Sequence, residues 1–322
     1  LKCIGILILS DVIRQDAKTT LDYFKKQDVD IKIISGDDPV TVSAIARRCH
    51  LLNYEHYIDV SSLSDEQIKE AIEKYTIFGR VSPKQKQLMV NTLQENNHTV
   101  AMTGDGVNDV LALKAADCSI AMASGSDAAK SASHIVLLKN NFNAMPHIVN
   151  EGRRVINNIT ASASMYLIKT IFSVVLSIGM ILFGHGYPFK PIQLTVISAC
   201  CVGIPTFFLT YEPNFKRVSG DFLKTVFKNA FPFAFMIAIC STIIVNGGRV
   251  LGLEKEMLST ICVLLTSWCY YNGLRHIYSP LSHYRIFVIY IMQIVLYISL
   301  IVGHQFLGLG NIDYIGAITL MF

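Results

Sequence analysis

The sequence predicts an α/β domain of Rossmann type followed by an α-helical transmembrane bundle, and three observations carry that expectation. The run Thr103-Gly104-Asp105-Gly106-Val107-Asn108-Asp109 lies between an apolar strand and a helix. Up to about Asn158 short apolar strands alternate with amphipathic helices, and beyond it long apolar segments take over. Of the 322 residues, 52% are hydrophobic and only 16% charged, against about 25% charged in soluble chains.

In chain order, Cys3 to Leu9 reads as a strand and Asp16 to Gln27 as the first amphipathic helix. Ile31 to Ile34 is a strand running into Ser35-Gly36-Asp37, and helices follow at Thr41 to Arg48, Asp65 to Lys74 and Pro83 to Glu95. His98 to Met102 is a short buried strand, and Val107 to Ala116 has apolar residues at helical spacing. The glycines of the seven-residue run therefore occupy a strand-to-helix turn. Ligands of open α/β sheets bind at the carboxyl ends of strands, so Asp105 and Asp109, held there by permissive glycines, suit a hard cation carrying phosphate. The plainer alternative is an acidic turn with aspartate as helix cap. Taken singly, Lys86 has the alternative of a solvated helix lysine, and Ser35 that of a turn residue.

The run T-G-D-G-V-N-D resembles the hinge motif of P-type ATPases, membrane pumps that pass through an aspartyl phosphate, and three further segments match that family in order. Asp11-Val12-Ile13-Arg14 is similar to its D-P-x-R, with Val12 in place of proline. Ser35-Gly36-Asp37 resembles T/S-G-D, whose hydroxyl and backbone amides hold phosphoryl oxygens. Phe78 to Lys86 is similar to F-x-R-x-x-P-x-x-K, with Lys86 as the cation that neutralises phosphoryl charge. The resemblance implies a haloacid-dehalogenase-like fold, ATP as substrate and Mg²⁺ as cofactor. It implies catalytic roles for Ser35, Gly36, Asp37, Lys86, Asp105, Asn108 and Asp109. Arg80 joins Ser35, Gly36, Asp37 and Lys86 in binding the nucleotide and phosphate, and Asp105 and Asp109 are the metal ligands. Such parts suit phosphoryl transfer, which needs mainly positioning and charge stabilisation. The family's D-K-T-G nucleophile run is absent from the 322 residues. The reading is therefore a fragment, lacking its beginning and its last few residues, that does not turn over ATP alone.

About six later segments approach the twenty or so apolar residues that cross a bilayer. They lie near Ala161 to Phe183, Pro191 to Tyr211, Asn229 to Asn246, Leu258 to Leu274, Ile286 to Val302, and a truncated one from Ile312. Lys216, Arg217, Lys224 and Lys228, then Arg275 and Arg285, mark the loops on one side, and Lys190, Arg249 and Lys255 the other. The positive-inside rule puts the richer side in the cytoplasm with the phosphate domain, so residues 1–160 are expected there, in a multi-pass protein of a bacterial plasma membrane. The expected division is 1–142 phosphorylation domain, 143–160 stalk helix continuous with the first span, and 161–322 transmembrane domain. The formal charge of +4 is accounted for by basic residues beside spans, and no aromatic and basic interleaving points to nucleic acid.

Within the family, six spans after the hinge imply a calcium-, sodium- or proton-type pump, and the residues around Ile204 to Leu209 and Glu212-Pro213-Asn214 resemble the bacterial cation-transporting ATPase E group, associated with calcium. The carboxylate cage of the calcium pumps is missing: Ser198, Cys201 and Val202 occupy its positions in the second span. The transport-site candidates are Lys169, Ser198, Cys201, Ser267 and Asn272. Lys169 serves as an internal counter-charge, or else sits in the stalk or snorkels to the interface. Gly203-Ile204-Pro205 is expected to break the second span and free carbonyls for a cation, the alternative being a structural kink. The adjacent Cys200 and Cys201 point about 100° apart on a helix, which favours packing over a shared soft metal. Two other functions stay open: a flippase-like lipid or polyamine transporter, and a regulatory or phosphatase half-pump.

Overall fold

The computed structural model describes residues 15–139, 141–218 and 220–310. The expected strand Cys3 to Leu9, the segment Asp11-Val12-Ile13-Arg14 and the last span from Ile312 lie outside the described residues. The chain divides into two units, Leu1–Val149 and Asn150–Phe322.

Among the described residues of the first unit every strand pairing is parallel. Helix α1 (Gln15–Lys26) precedes an alternation of β1 (Ile33–Ile34), α2 (Pro39–Arg48), β2 (Tyr57–Asp59), α3 (Asp65–Lys74), β3 (Ile77–Gly79) and α4 (Pro83–Glu95). It continues through β4 (Ala101–Gly104), α5 (Val110–Ala115), β5 (Cys118–Met122), α6 (Asp127–Ala132) and β6 (Ile135–Leu137). The strands form two three-stranded sheets, ordered β1-β3-β2 and β4-β5-β6. A helical crossover between successive strands is what parallel pairing requires. The central β3 is buried throughout, and its Phe78 packs in one cluster with Val60, Ile68, Ile72 and Met89. Each such side chain contributes roughly 1.5–3 kcal/mol by leaving water.

Helices α3 and α4 start and stop as read from the sequence, because each opens on a capping box, Ser64 with Gln67 and Ser82 with Gln85. Strand β4 starts three residues later than expected. The Val100 N–H donates to the Asp117 carboxylate at 2.8 Å, and Asn97 takes a φ of 64° in the turn before it. Likewise β1 is confined to two residues, Ile33 N–H entering the ladder on the Thr76 carbonyl at 2.9 Å. The helix after the hinge opens as a 3₁₀ turn, Val107–Asp109, before α5.

In the second unit, α7 (Ala144–Leu182) is one continuous helix of 39 residues. It is followed by α8 (Pro191–Ile197), a π-helical segment Ser198–Gly203 and α9 (Ile204–Leu209). Then come α10 (Phe222–Val250), α11 (Lys255–Ile277), α12 (His283–Val302) and the single turn α13 (His304–Leu307). Among the described residues four helices are long and apolar enough to cross a membrane: α7, Pro191–Leu209, α10 and α12. Helix α11, expected as a span, is not among them. It carries Ser259, Thr260, Thr266, Ser267, Tyr270 and Tyr271 as buried residues, so it is an interior helix whose faces meet protein. Phe172 on α7 packs edge-on against both Tyr270 and Phe189 in this core.

The expected break at Gly203-Ile204-Pro205 is also corrected. The chain stays helical there and shifts register, Ile204 N–H donating to the Ala199 carbonyl five residues back. In that register the Cys200 carbonyl would need an N–H from residue 205, which is proline and has none. The Tyr271 hydroxyl on α11 supplies the donor instead, at 3.3 Å. Tyr271→Phe is expected to cost about 0.6–1.7 kcal/mol, the range for interhelical side-chain hydrogen bonds in membranes, read as a lowered midpoint of unfolding in detergent. An unchanged midpoint would mean that the carbonyl finds another donor.

Arg285 is a second correction. Counted from the sequence as a loop charge, it lies buried in the first turn of α12, its Nε 2.8 Å from Glu212 Oε2 and its Nη1 donating to the Tyr278 and Pro280 carbonyls. Its charge is spent on holding two turns together.

Candidate functional site

Two loops following strands, Ser35–Asp37 after β1 and Asp105–Asp109 after β4, face a cavity of about 590 Å³. Ser35, Gly36, Lys86, Asp105 and Asp109 all line it, together with Thr103, Gly104 and Cys49.

Lys86 reaches it from α4. Pro83 at the first helical position and the Ser82 cap fix the start of that helix, and Lys86, Met89 and Val90 then share its buried face. The Lys86 ammonium donates to Asp109 Oδ1 at 2.7 Å, with 11% of each side chain exposed. The second oxygen of Asp109 accepts the Gly106 N–H at 3.2 Å. Gly104 allows this arrangement, since a Cβ there would stand 2.6 Å from Asp109 Cβ. Asp105 is exposed at the cavity and held through its backbone: its carbonyl accepts the Ser126 N–H at 2.8 Å. Gly125 packs against it so closely that a Cβ would fall 2.7 Å from that same carbonyl oxygen.

The loop after β1 is closed on itself. The Asp37 N–H donates to Ser35 Oγ at 3.2 Å, and the Ser35 hydroxyl donates to Asp37 Oδ2 at 3.1 Å. Asp38 then caps α2 by accepting the Val40 N–H at 3.0 Å. Asp37, Asn108 and Arg80 do not line the cavity. Arg80 instead reaches Asp38 at 2.9 Å and Asp59 at 3.4 Å, from a left-handed backbone with φ of 55°. Hydrogen bonds from the Ser61 hydroxyl and N–H, with a smaller contribution from Arg80, hold the Asp59 carboxyl below the usual carboxylate range.

No role was assigned from the sequence to Thr103 or Cys49. Thr103 stands in the hinge run itself, whereas Cys49, the residue after α2, carries no local signal. Burial pushes the Cys49 thiol up, against a smaller opposing effect of Arg48, so it stays protonated at neutral pH.

A magnesium ion takes one or two carboxylates and fills its remaining positions with water and phosphate oxygens. The donors present fit it: Asp105 offers an exposed carboxylate, and Asp109 the lone pairs left over from Lys86 and Gly106. Among the described residues no group of three or more His, Cys, Asp and Glu is placed to hold a metal by itself.

In the second unit the Lys169 ammonium donates to Ser198 Oγ at 2.8 Å, and that hydroxyl donates to the Leu194 carbonyl. Cys201 is fully buried in the core of this unit. Ser267 bonds back to the Val263 carbonyl and Asn272 to that of Trp268, so these two are anchored on their own helix. Gln193 is held at both ends of its amide, the oxygen accepting from Lys190 N–H and Ser259 and the nitrogen donating to the Leu307 carbonyl.

Residues 2–117 match the family model described as haloacid dehalogenase-like hydrolase. This parallel α/β unit is accordingly a haloacid dehalogenase-like hydrolase domain. Over 297 residues, 90% of the chain, it is 41% identical to the probable cation-transporting ATPase exp7 of Streptococcus pneumoniae, of which it covers 38%. It is 40% identical over 82% of its length to the calcium-transporting ATPase CtpE of Mycobacterium bovis, covering 35% of that protein. A calcium-transporting ATPase of Bacillus subtilis is 31% identical over 70% of the chain and is covered to 25%. The chain belongs to the P-type ATPase family. It spans little more than a third of the length of the first two relatives.

Proposed function

We propose that this chain supplies the phosphoryl-handling and membrane parts of an ATP-driven cation pump that works through an aspartyl phosphate, with calcium as the transported ion. The observation that carries the reading is the convergence of Ser35, Gly36, Lys86, Asp105 and Asp109 on one cavity beyond the ends of parallel strands. The Ser35 hydroxyl and the neighbouring backbone amides would hold phosphoryl oxygens, and Lys86 would balance their charge from its seat against Asp109. Mg²⁺, when bound at Asp105 and Asp109, supplies further charge neutralisation. The D-K-T-G run does not occur in the 322 residues, so the groups assigned here bind and stabilise the phosphoryl group without accepting it.

The names of relatives at 40% and 31% identity support calcium. The membrane unit offers no carboxylate cage: no Asp or Glu occurs in 161–211, 222–253 or 257–303. This favours, as a second reading, a flippase-like transporter of lipid or polyamine. ATPase rates of the complete pump against a panel of cations decide between them, stimulation by Ca²⁺ supporting the first and indifference to every metal ion the second. In the first reading Lys169, hydrogen-bonded to the residue that opens the π-helical segment, is a fixed counter-charge. Lys169→Ala is expected to lower ion-stimulated turnover about tenfold or more, as loss of a charge-assisted contact of about 1.5–3 kcal/mol implies. Unchanged stimulation in that variant would remove Lys169 from the transport site.

A further inference from the structure

A second cavity, of about 300 Å³, lies at the end of the second unit where α8 begins, α10 ends and α11 begins. Nothing assigned above uses it. Its floor is apolar, with Tyr187, Phe189 and Leu258, and charged groups stand around it: Lys190, Arg249 and Lys255 against one carboxylate, Glu256. Three cations against one anion leave an excess of two positive charges.

That charge is little spent on the protein. Lys190 Nζ is 3.8 Å from Glu256 Oε1, with side chains 51% and 60% exposed, a geometry that contributes little, and it donates at 3.3 Å to the Gly308 carbonyl, a neutral acceptor that leaves the charge uncancelled. Arg249 Nη1 makes its hydrogen bond to a neutral partner, His185 Nδ1, at 2.7 Å. His185 Nε2 lies 2.9 Å from Asn246 Oδ1, which only accepts, so Nε2 carries the proton and Nδ1 receives the guanidinium N–H. The histidine thus aims the arginine without cancelling its charge. Lys255 is exposed and has no ion pair among the described residues.

The surroundings say where an anion would come from. Ile181 and Leu182 in the last turn of α7, Phe183 directly after it, and Val250 and Leu251 at the end of α10 are all exposed apolar residues. In a membrane protein such a collar is where hydrocarbon ends and headgroups begin. A cationic rim over an apolar floor at that level matches a phosphate ester carrying an acyl glycerol, the anionic head meeting the cations and the glycerol and acyl stem meeting the apolar floor. Arginine adds a planar donor pair suited to two phosphate oxygens.

We propose that this cavity is a binding site for a phosphate-bearing anion, the phosphodiester headgroup of an anionic phospholipid, held by Arg249, Lys190 and Lys255. The experiment is native mass spectrometry of the complete protein released from nanodiscs of equal phosphatidylglycerol and phosphatidylcholine, with a parallel titration by inorganic phosphate. Retention of phosphatidylglycerol over phosphatidylcholine is expected, falling about fivefold on Arg249→Gln and again on Lys255→Gln, as about 1 kcal/mol per basic residue implies. Arg249→Lys keeps the charge and is expected to retain the preference. Lys255→Gln removes an exposed side chain without an ion pair among the described residues, so it reads the site even where Arg249→Gln disturbs folding. Saturable binding of inorganic phosphate that Lys255→Gln weakens, without lipid preference, supports the same anion site with a soluble source. Equal retention of the two lipids with no saturable phosphate binding overturns the proposal, as does a preference untouched by Lys255→Gln and Arg249→Gln.

Discussion

Lys86→Met in the complete pump is expected to reduce phosphoenzyme formation about 10²- to 10³-fold, the scale set by removing one preorganised charge-stabilising donor. The same substitution is expected to destabilise the first unit by about 3–5 kcal/mol, because the Asp109 carboxylate, 11% exposed, is left without its counter-charge. The two effects separate in the double variant Lys86→Met, Asp109→Asn. Removing both partners returns most of the stability, since the penalty belongs to the unpaired charge, while phosphoenzyme stays lost. Denaturant unfolding and incorporation of labelled phosphate from ATP measure the two. Full phosphorylation in a folded Lys86→Met protein would show that the lysine serves the fold alone.

Asp105→Asn has the opposite profile. The side chain is exposed and the loop is held by the Asp105 carbonyl and Ser126 N–H, which the substitution keeps, so stability is expected to stay within about 0.5 kcal/mol. Turnover of the phosphoenzyme is expected to fall at least about 100-fold, with partial recovery at high Mg²⁺ as the weakened site is refilled. ATPase activity at the ordinary level, with an unshifted Mg²⁺ dependence, would rule out the metal role.

Much of the first unit was legible because its signals are local. Amphipathic spacing placed α3 and α4, whose starts the structure fixes with capping boxes at Ser64 and Ser82, and the hinge run announced a strand-to-helix turn. Strand β4 was misplaced at its start because the Asp117 carboxylate, 17 positions from Val100, takes the N–H that would have begun the strand. In the second unit apolar length identified the helices, and among the described residues four of the five expected long segments are apolar enough on their own to cross a membrane. Helix α11 is long, yet its polar residues are tolerable only because neighbours bury them, and burial is not a property of the segment.

The sequence by itself determined the family resemblance, the succession of strands and helices, the position of the Ser35 and Asp105 loops beyond strands, and the change to apolar helices after about Asn158. Those follow from side-chain periodicity and turn chemistry, which act over a few residues. Only the tertiary structure decided which charges meet. It gave Lys86 to Asp109, turned Arg80 onto Asp38 and Asp59, spent Arg285 on Glu212, and left Arg249 facing a neutral histidine. It also decided that Pro205 shifts a helix register, because Tyr271 lies within reach of the carbonyl that proline leaves without a donor. Partners 21 to 73 positions apart along the chain are chosen by how helices and strands pack, and burial then sets what each pairing is worth.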